Sequence, residues 1–205
     1  MRFGIFFVAW IVILIPQAEA EFIIQLASGT AHNFATTLTV EQPAKEDVSF
    51  TANYETHPWR SAPYYSARIG TWSEHAGWEL ELTHHKLYLT NPRPPVDEFH
   101  ITNGYSFVTV NHAWKFRAFI LRAGAGGLVA YPVTRIENVV TSGGYRLAGV
   151  ALQGAVEKRF LLGHKFFFSA EGKLTAAYGN ITLVNAKVKV PNVALHGLLG
   201  IGYSF

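Results

Sequence analysis

Between Gly77 and Tyr88 the chain reads GWELELTHHKLY, and its chemistry-bearing side chains are Glu79, Glu81, His84, His85 and Lys86. Carboxylates, imidazoles and an ammonium packed this closely could move protons, hold a metal ion or grip a phosphate. The choice depends on the element that carries them. On a strand, side chains alternate between faces. Glu79, Glu81, Thr83 and His85 then share one face, and Trp78, Leu80, Leu82, His84, Lys86 and Tyr88 share the other. His84 and His85 point apart, so one ion cannot take both without a bulge. A divalent metal ion would need ligands from further strands.

The supporting elements follow from composition. The chain has 205 residues, no cysteine and a formal charge of +3, with 14% aromatic and 15% charged residues. An average soluble domain is about 25% charged. The positive balance is too mild and dispersed for a nucleic-acid partner. The opening MRFGIFFVAWIVILIPQAEA has Arg2, an apolar run, Pro16 and Ala18-Glu19-Ala20. That is the layout of a secretory signal peptide over residues 1–20, with cleavage expected near Ala20. Its apolar run falls short of the ~20 residues of a spanning helix, and nothing later is long enough. An aromatic, weakly charged, exported chain without such a helix predicts strands closed into a barrel in the bacterial outer membrane.

Alternation supports this. In VALHGLLGIGYSF, Val193, Leu195, Leu199, Ile201, Tyr203 and Phe205 share one face, opposite Ala194, His196, Gly200, Gly202 and Ser204. KFFFSAEGKLTAAY sets Phe166, Phe168 and Leu174 against Ser169, Glu171, Lys173 and Thr175. The predicted fold is all-β, a closed antiparallel transmembrane β-barrel over residues 21–205. Its eight strands are expected at about 48–57, 63–72, 78–88, 99–111, 116–130, 144–158, 165–178 and 193–205. Residues 22–47 are open: they form an extra hairpin, giving ten strands, or are partly loop. Short connections are expected at Ser73–Gly77, around Asn111–Lys115 and at Leu161–His164. Long ones are expected at Leu89–Glu98, Tyr131–Gly143 and Gly179–Asn192. A soluble sandwich or lipocalin-like barrel is the alternative, and Phe166-Phe167-Phe168 with so few charges argues against it.

With apolar faces outward, Glu79, Glu81 and His85 enter the lumen, where Arg68, Glu171 and Lys173 are their expected partners. Charges removed from water must be paired, so a salt-bridged interior is the plain reading. His84, Lys86 and Tyr88 fall on the outer wall near a long loop. There they form either an aromatic and basic girdle or a site for the phosphates of lipopolysaccharide. A His–Ser nucleophile pair at His164 and Ser169 is excluded by the odd spacing, which puts the two on opposite faces.

The series PYYSARIGTW (Pro63–Trp72), ELTHHKLY (Glu81–Tyr88) and EFHITNGYSFVTVN (Glu98–Asn111) resembles the lipid A oxidase-like group of small outer-membrane β-barrel proteins. The shared pattern is P-Y-Y-x-x-R, then E-[LF]-T-H-x-K-x-Y, then E-F-x-x-T-x-G ending in V-T-x-N. It covers residues 63–111. The resemblance implies conversion of the proximal glucosamine of lipid A to an aminogluconate with oxygen. It also implies acid–base or phosphate-anchoring roles for Glu81, His84 and Lys86, and substrate contacts from Tyr64, Tyr65, Arg68, Tyr88, Asn103 and Asn111. The chain departs from the pattern at Asn103, where an acidic residue is expected. The other class left open is a non-catalytic barrel with an envelope-integrity or surface-interaction role. A monomer is expected in both, since a closed barrel satisfies its own edges.

Overall fold

The structure, a computed structural model, describes residues 20–60, 62–101, 104–142 and 144–205. The leader expected over residues 1–20, apart from Ala20, and Asn103 lie outside the described residues.

Fifteen strands are described. In chain order they begin with β1 (Glu21–Phe34), β2 (Thr36–Glu41), β3 (Val48–Ala52), β4 (Tyr54–Glu55), β5 (Tyr65–Trp72), β6 (Ala76–His84), β7 (Leu87–Leu89) and β8 (Val96–Ile101). They continue with β9 (Tyr105–Phe116), β10 (Phe119–Ala130), β11 (Val133–Ile136), β12 (Val139–Ser142), β13 (Arg146–Leu162), β14 (Phe166–Thr182) and β15 (Lys187–Ser204). Eight of them, β1, β5, β6, β9, β10, β13, β14 and β15, pair antiparallel in that order, and β15 returns to β1 to close the barrel. The expected all-β, eight-stranded closure is therefore present.

One end of the barrel is tight. Ser73–His75 joins β5 to β6, Arg117 and Ala118 join β9 to β10, and Gly163–Lys165 joins β13 to β14. Arg117 (φ 56°) and Gly163 (φ 79°) adopt the left-handed backbone that such hairpin turns use. The β9–β10 turn thus falls later than the region around Asn111–Lys115 that spacing suggested. Both Phe205 and the start of β1 lie at this end, where the Phe205 amide donates to the Phe22 carbonyl at 2.9 Å.

At the other end the strands grow into a second layer. β2 and β3 form a hairpin added to the start of β15. β12, β11, β8, β7 and β4 make a separate five-stranded sheet. The expected long loop at Gly179–Asn192 is instead the continuation of β14 and β15, turning at residues 183–186.

The first barrel strand is not 48–57 but β1. Its outward Phe22, Ile24 and Leu26 continue the apolar wall, and it pairs with β15 along its length. In the β2–β3 hairpin, Leu38, Val40, Phe50 and Ala52 are buried, so that hairpin needs a core rather than lipid. Ten strands hence share one sheet, of which eight form the barrel.

A change of polarity along each strand divides the molecule. Low on β14, Ser169, Glu171, Lys173 and Thr175 face in, while Phe166, Phe168, Leu174 and Tyr178 face out. Beyond Thr175 the inward positions become Ala177, Gly179 and Ile181, and past Tyr178 the outward ones become Asn180 and Thr182. β15 changes the same way: Val188 and Val190 are buried beside outward Lys187 and Lys189, then Asn192 and His196 are buried beside outward Leu195 and Leu199. The alternation keeps its phase and the solvent changes. The extended end therefore has an apolar core, including Leu38, Phe99, Ile101, Phe107, Leu128 and Ile181. The middle of the barrel is polar inside and apolar outside, and a small apolar cluster of Ile23, Trp72, Ala113 and Ile120 lies by the tight turns.

Candidate functional site

The lumen is filled. Arg68 from β5 and Arg122 from β10 each donate to Glu157 Oε2, at 2.9 and 2.8 Å, and to Glu171 Oε2, at 2.8 and 2.7 Å. Arg122 also pairs with Glu79, Lys173 pairs with Glu81 and Glu171, and Arg159 pairs with Glu157. Glu81 further accepts from Ser66 at 2.6 Å, Asn111 at 3.0 Å and Gln153 at 2.7 Å. The four cations Arg68, Arg122, Arg159 and Lys173 thus face the four carboxylates Glu79, Glu81, Glu157 and Glu171, which balances the lumen. Toward the extended end, Tyr64 and Thr175 hold His196 at 2.6 and 2.8 Å, and Asn33 holds His85 at 2.9 Å.

This layout sorts the residues singled out in the sequence. Glu81, Tyr64, Arg68 and Asn111 are sealed in the lumen, with partners for their polar groups. His84, Lys86, Tyr65 and Tyr88 gather instead at the rim, where β5 and β6 end. Glu81 is on the opposite side of the wall from His84 and Lys86, so those three do not form one reacting group.

At the rim the Tyr65 and His84 rings stack, 5.2 Å apart and tilted by 15°. His84 Nδ1 meets Ser106 Oγ at 3.2 Å, and its other ring nitrogen is buried without a partner among the described residues. Gly104, at φ +128°, makes room: a Cβ there would come within 2.4 Å of Ser106 Oγ. The contact has the hydroxyl and base of a nucleophile pair but lacks a third group to orient the imidazole.

Lys86 is the unusual member. Position on an outward face predicted a snorkelling cation, yet its side chain is shielded from solvent. Its ammonium donates to the Arg60 carbonyl and, at 2.9 Å, to the Ala62 carbonyl. The Arg60 guanidinium lies 5.7 Å from the centre of the Tyr88 ring, and the Lys86 ammonium 5.8 Å from it. Neither cation makes an ion pair with a described carboxylate. Glu55 pairs with His57, and Glu98 pairs with His100 and Arg135. Burial, helped by the Arg60 guanidinium, pushes the Lys86 ammonium below the usual lysine range. The exposed Arg60 guanidinium is therefore the rim cation open to an anion, while the buried Lys86 ammonium is spent on backbone carbonyls. Among the described residues, no three His, Asp or Glu side chains gather to share a metal ion.

The sequence matches no protein-family model and no curated protein. Among solved structures, the chain is similar to Ail, the attachment invasion locus protein of Yersinia pestis, at 13% identity and a TM-score of 0.41, covering 91% of this chain and 97% of that one. It is also similar to Neisserial surface protein A, at 12% identity and a TM-score of 0.43, covering 91% and 99%. OprG from Pseudomonas aeruginosa is similar at 15% identity and a TM-score of 0.48, covering 91% and 96%.

Sequence reading missed Arg60, Trp59 and Ser106 at the rim, and Arg122, Glu157 and Arg159 in the lumen. For Glu157 a signal existed. Gln153 and Glu157 alternate with Leu152 and Val156, as Glu171 and Lys173 alternate with Leu174. Arg60 carried none, because it lies on an irregular segment.

Proposed function

We propose that the chain is an integral protein of the bacterial outer membrane, monomeric and closed to solutes, that engages the phosphates of lipopolysaccharide at its outer rim. The observation that carries this reading is Arg60: an exposed guanidinium beside the Tyr88 ring, paired with no described carboxylate, whose carbonyl the buried Lys86 ammonium fastens. The membrane placement is supported by the outward apolar band on β14 and β15. Aromatics border it at the tight end, where Phe205 contacts Phe22 and Tyr203, and Tyr131 contacts Tyr145 toward the extended end. The polar lumen inside that band and the apolar core beyond it fit a wall in lipid and a cap in water. Lipid A carries phosphate at the height where Lys86 and Arg60 would sit.

The resemblance to lipid A oxidases would add a redox step to this binding. The separation of Glu81 from His84 and Lys86 by the barrel wall favours binding without that chemistry. The test is expression in a Gram-negative host. Expected are recovery in the outer-membrane fraction, heat-modifiable gel mobility and retained lipopolysaccharide, with retention lost in the Arg60→Ala, Lys86→Gln double variant. Equal retention by a folded double variant would overturn the reading. A lipid A spectrum gaining one oxygen would restore the oxidase.

A further inference from the structure

Toward the tight end, the outer wall carries a recess of about 440 Å³, within the roughly 300–1,000 Å³ range of clefts that hold small ligands. Its floor is backbone. Gly172 of β14 pairs with Val156 of β13 on one side and with Gly197 of β15 on the other. A Cβ on either glycine would meet nothing within 4 Å, so two facing glycines leave a dent in the apolar wall. Val156 and Leu199 stand exposed at its edges. One pair nearer the tight end, Lys158 of β13 faces Ala170 of β14, and both line the recess with Phe119 of β10.

Lys158 is a cation on a lipid-facing surface, exposed between Val156 and Phe160 along β13. Its ammonium stands 5.3 Å from the centre of the Phe160 ring and 5.8 Å from that of Phe119. Two ring faces hold it at the mouth of the recess. No described carboxylate pairs with it. Its strand neighbour Glu157 is buried on the lumen side, where Arg68 and Arg122 hold it. The surroundings add to the charge. Arg117 stands 5.6 Å over the Phe116 ring, and Lys165 5.6 Å over the Tyr203 ring. Among the described carboxylates near these turns, Glu21 approaches Lys115 and Glu74 approaches His75, which leaves Arg117, Lys158 and Lys165 without one. A cation at an apolar wall is costly until an anion meets it.

We propose that this recess seats one acyl chain of an anionic glycerophospholipid of the periplasmic leaflet, with the lipid phosphate on Lys158. Short turns face the periplasm in such barrels, so the setting rests on the membrane placement proposed above. It does not depend on phosphate binding at the opposite rim. Charge complementarity selects the occupant. A zwitterionic lipid brings a second ammonium to a surface already rich in cations. A second copy docking here about a two-fold axis would bring Lys158 toward its own counterpart.

The test uses the full mature chain folded in detergent micelles and read by native mass spectrometry. It is titrated with phosphatidylglycerol, with phosphatidylcholine of the same acyl chains, and with glycerol phosphate. Gly172→Leu and Gly197→Leu fill the recess, and Lys158→Gln removes the charge. Gly154→Leu adds the same side chain on β13 outside the recess lining, where a Cβ has 3.8 Å to its nearest neighbour. Lys165→Gln removes a cation of the same end that does not line the recess. Heat-modifiable mobility selects the folded variants, and a wild type without it would overturn the membrane placement itself. Wild type should prefer phosphatidylglycerol, and Lys158→Gln should cut that preference roughly fivefold, what one cation near an anionic lipid surface contributes. Both filled variants should weaken phosphatidylglycerol by at least roughly fourfold, the loss of about one buried methylene. Gly154→Leu and Lys165→Gln should match wild type, and glycerol phosphate alone should not bind in the same concentration range. A folded wild type without the preference, or a preference that survives Lys158→Gln, would overturn the assignment. Unchanged affinity in both filled variants, an equal loss in Gly154→Leu or Lys165→Gln, or saturation by glycerol phosphate would also overturn it.

Discussion

Arg68 and Arg122 donate to the same oxygen of Glu157 and the same oxygen of Glu171, from strands that are not neighbours in the barrel. The two guanidiniums thus tie β5, β10, β13 and β14 together across the lumen. Removing Arg122 leaves Glu79, Glu157 and Glu171 each short of a partner, and breaking a buried pair costs about 3–5 kcal/mol. Arg122→Met should lower stability by that order in urea titrations of the protein in lipid vesicles. Arg159→Met, at the partly exposed edge of the network, should cost less. Equal, small losses would mean the network is not what holds the lumen.

Two seals lie in series along the axis, the ion-pair network and the apolar core of Phe107, Leu128 and Ile181 beyond it. Planar bilayers containing the protein should show no steady conductance. Replacing both Arg68 and Lys173 by Ala should leave that result unchanged, because water still meets the second seal. Stable channels in the wild type would contradict the closed reading.

Close strand packing makes two glycines unequal. A Cβ on Gly126 would come within 1.9 Å of the Val108 carbonyl oxygen, a backbone atom that cannot rotate away. On Gly172 a Cβ would meet nothing within 4 Å. Gly126→Ala should sharply reduce the heat-modifiable, folded fraction after refolding into detergent, and Gly172→Ala should match wild type.

Lys86 should give phosphate binding an early alkaline limit. Its proton is held less tightly than an ordinary lysine's, since burial and Arg60 both disfavour the charge. Affinity for phosphorylated headgroup should fall as pH rises through that lowered value, below the ~10.4 of a free lysine. Lys86→Arg should extend binding to higher pH. For the unliganded protein the sign is opposite. In the same window the unfolded chain binds more protons, so this residue's contribution to stability rises with pH. Headgroup titrations across pH 7–11, about the range where lysines ionise, would show the difference.

How far the sequence discloses this depends on what each residue's neighbours are. The barrel wall is legible because β14 and β15 alternate without interruption, and the inward sets Glu79, Glu81, His85 and Arg68, Glu171, Lys173 follow from period two alone. The first strand is harder. FIIQLA and VSFTANYE both read as strands, and only the pairing of β1 with the C-terminal strand decides between them. The strands β11 and β12 fall where the spacing predicts a long loop, and 48–57 is misplaced into the barrel, because these short strands pack on a core assembled from distant segments, such as Leu38 with Ile181. At the rim, period two puts Lys86 on the outward face but does not show that its ammonium meets the carbonyls of Arg60 and Ala62. That contact turns a girdle cation into a shielded one.

The most direct measurement of the central claim is a pair of calorimetric titrations of the folded protein, with bisphosphorylated lipid A and with its dephosphorylated form. Wild type should prefer the phosphorylated lipid. Lys86→Gln, which keeps a donor for the segment carbonyls, and Arg60→Ala should each lose about 1.5–3 kcal/mol of that preference, the scale of a hydrogen bond to a charged group. Equal affinity for the two lipids, or a preference that survives both substitutions together, would contradict it.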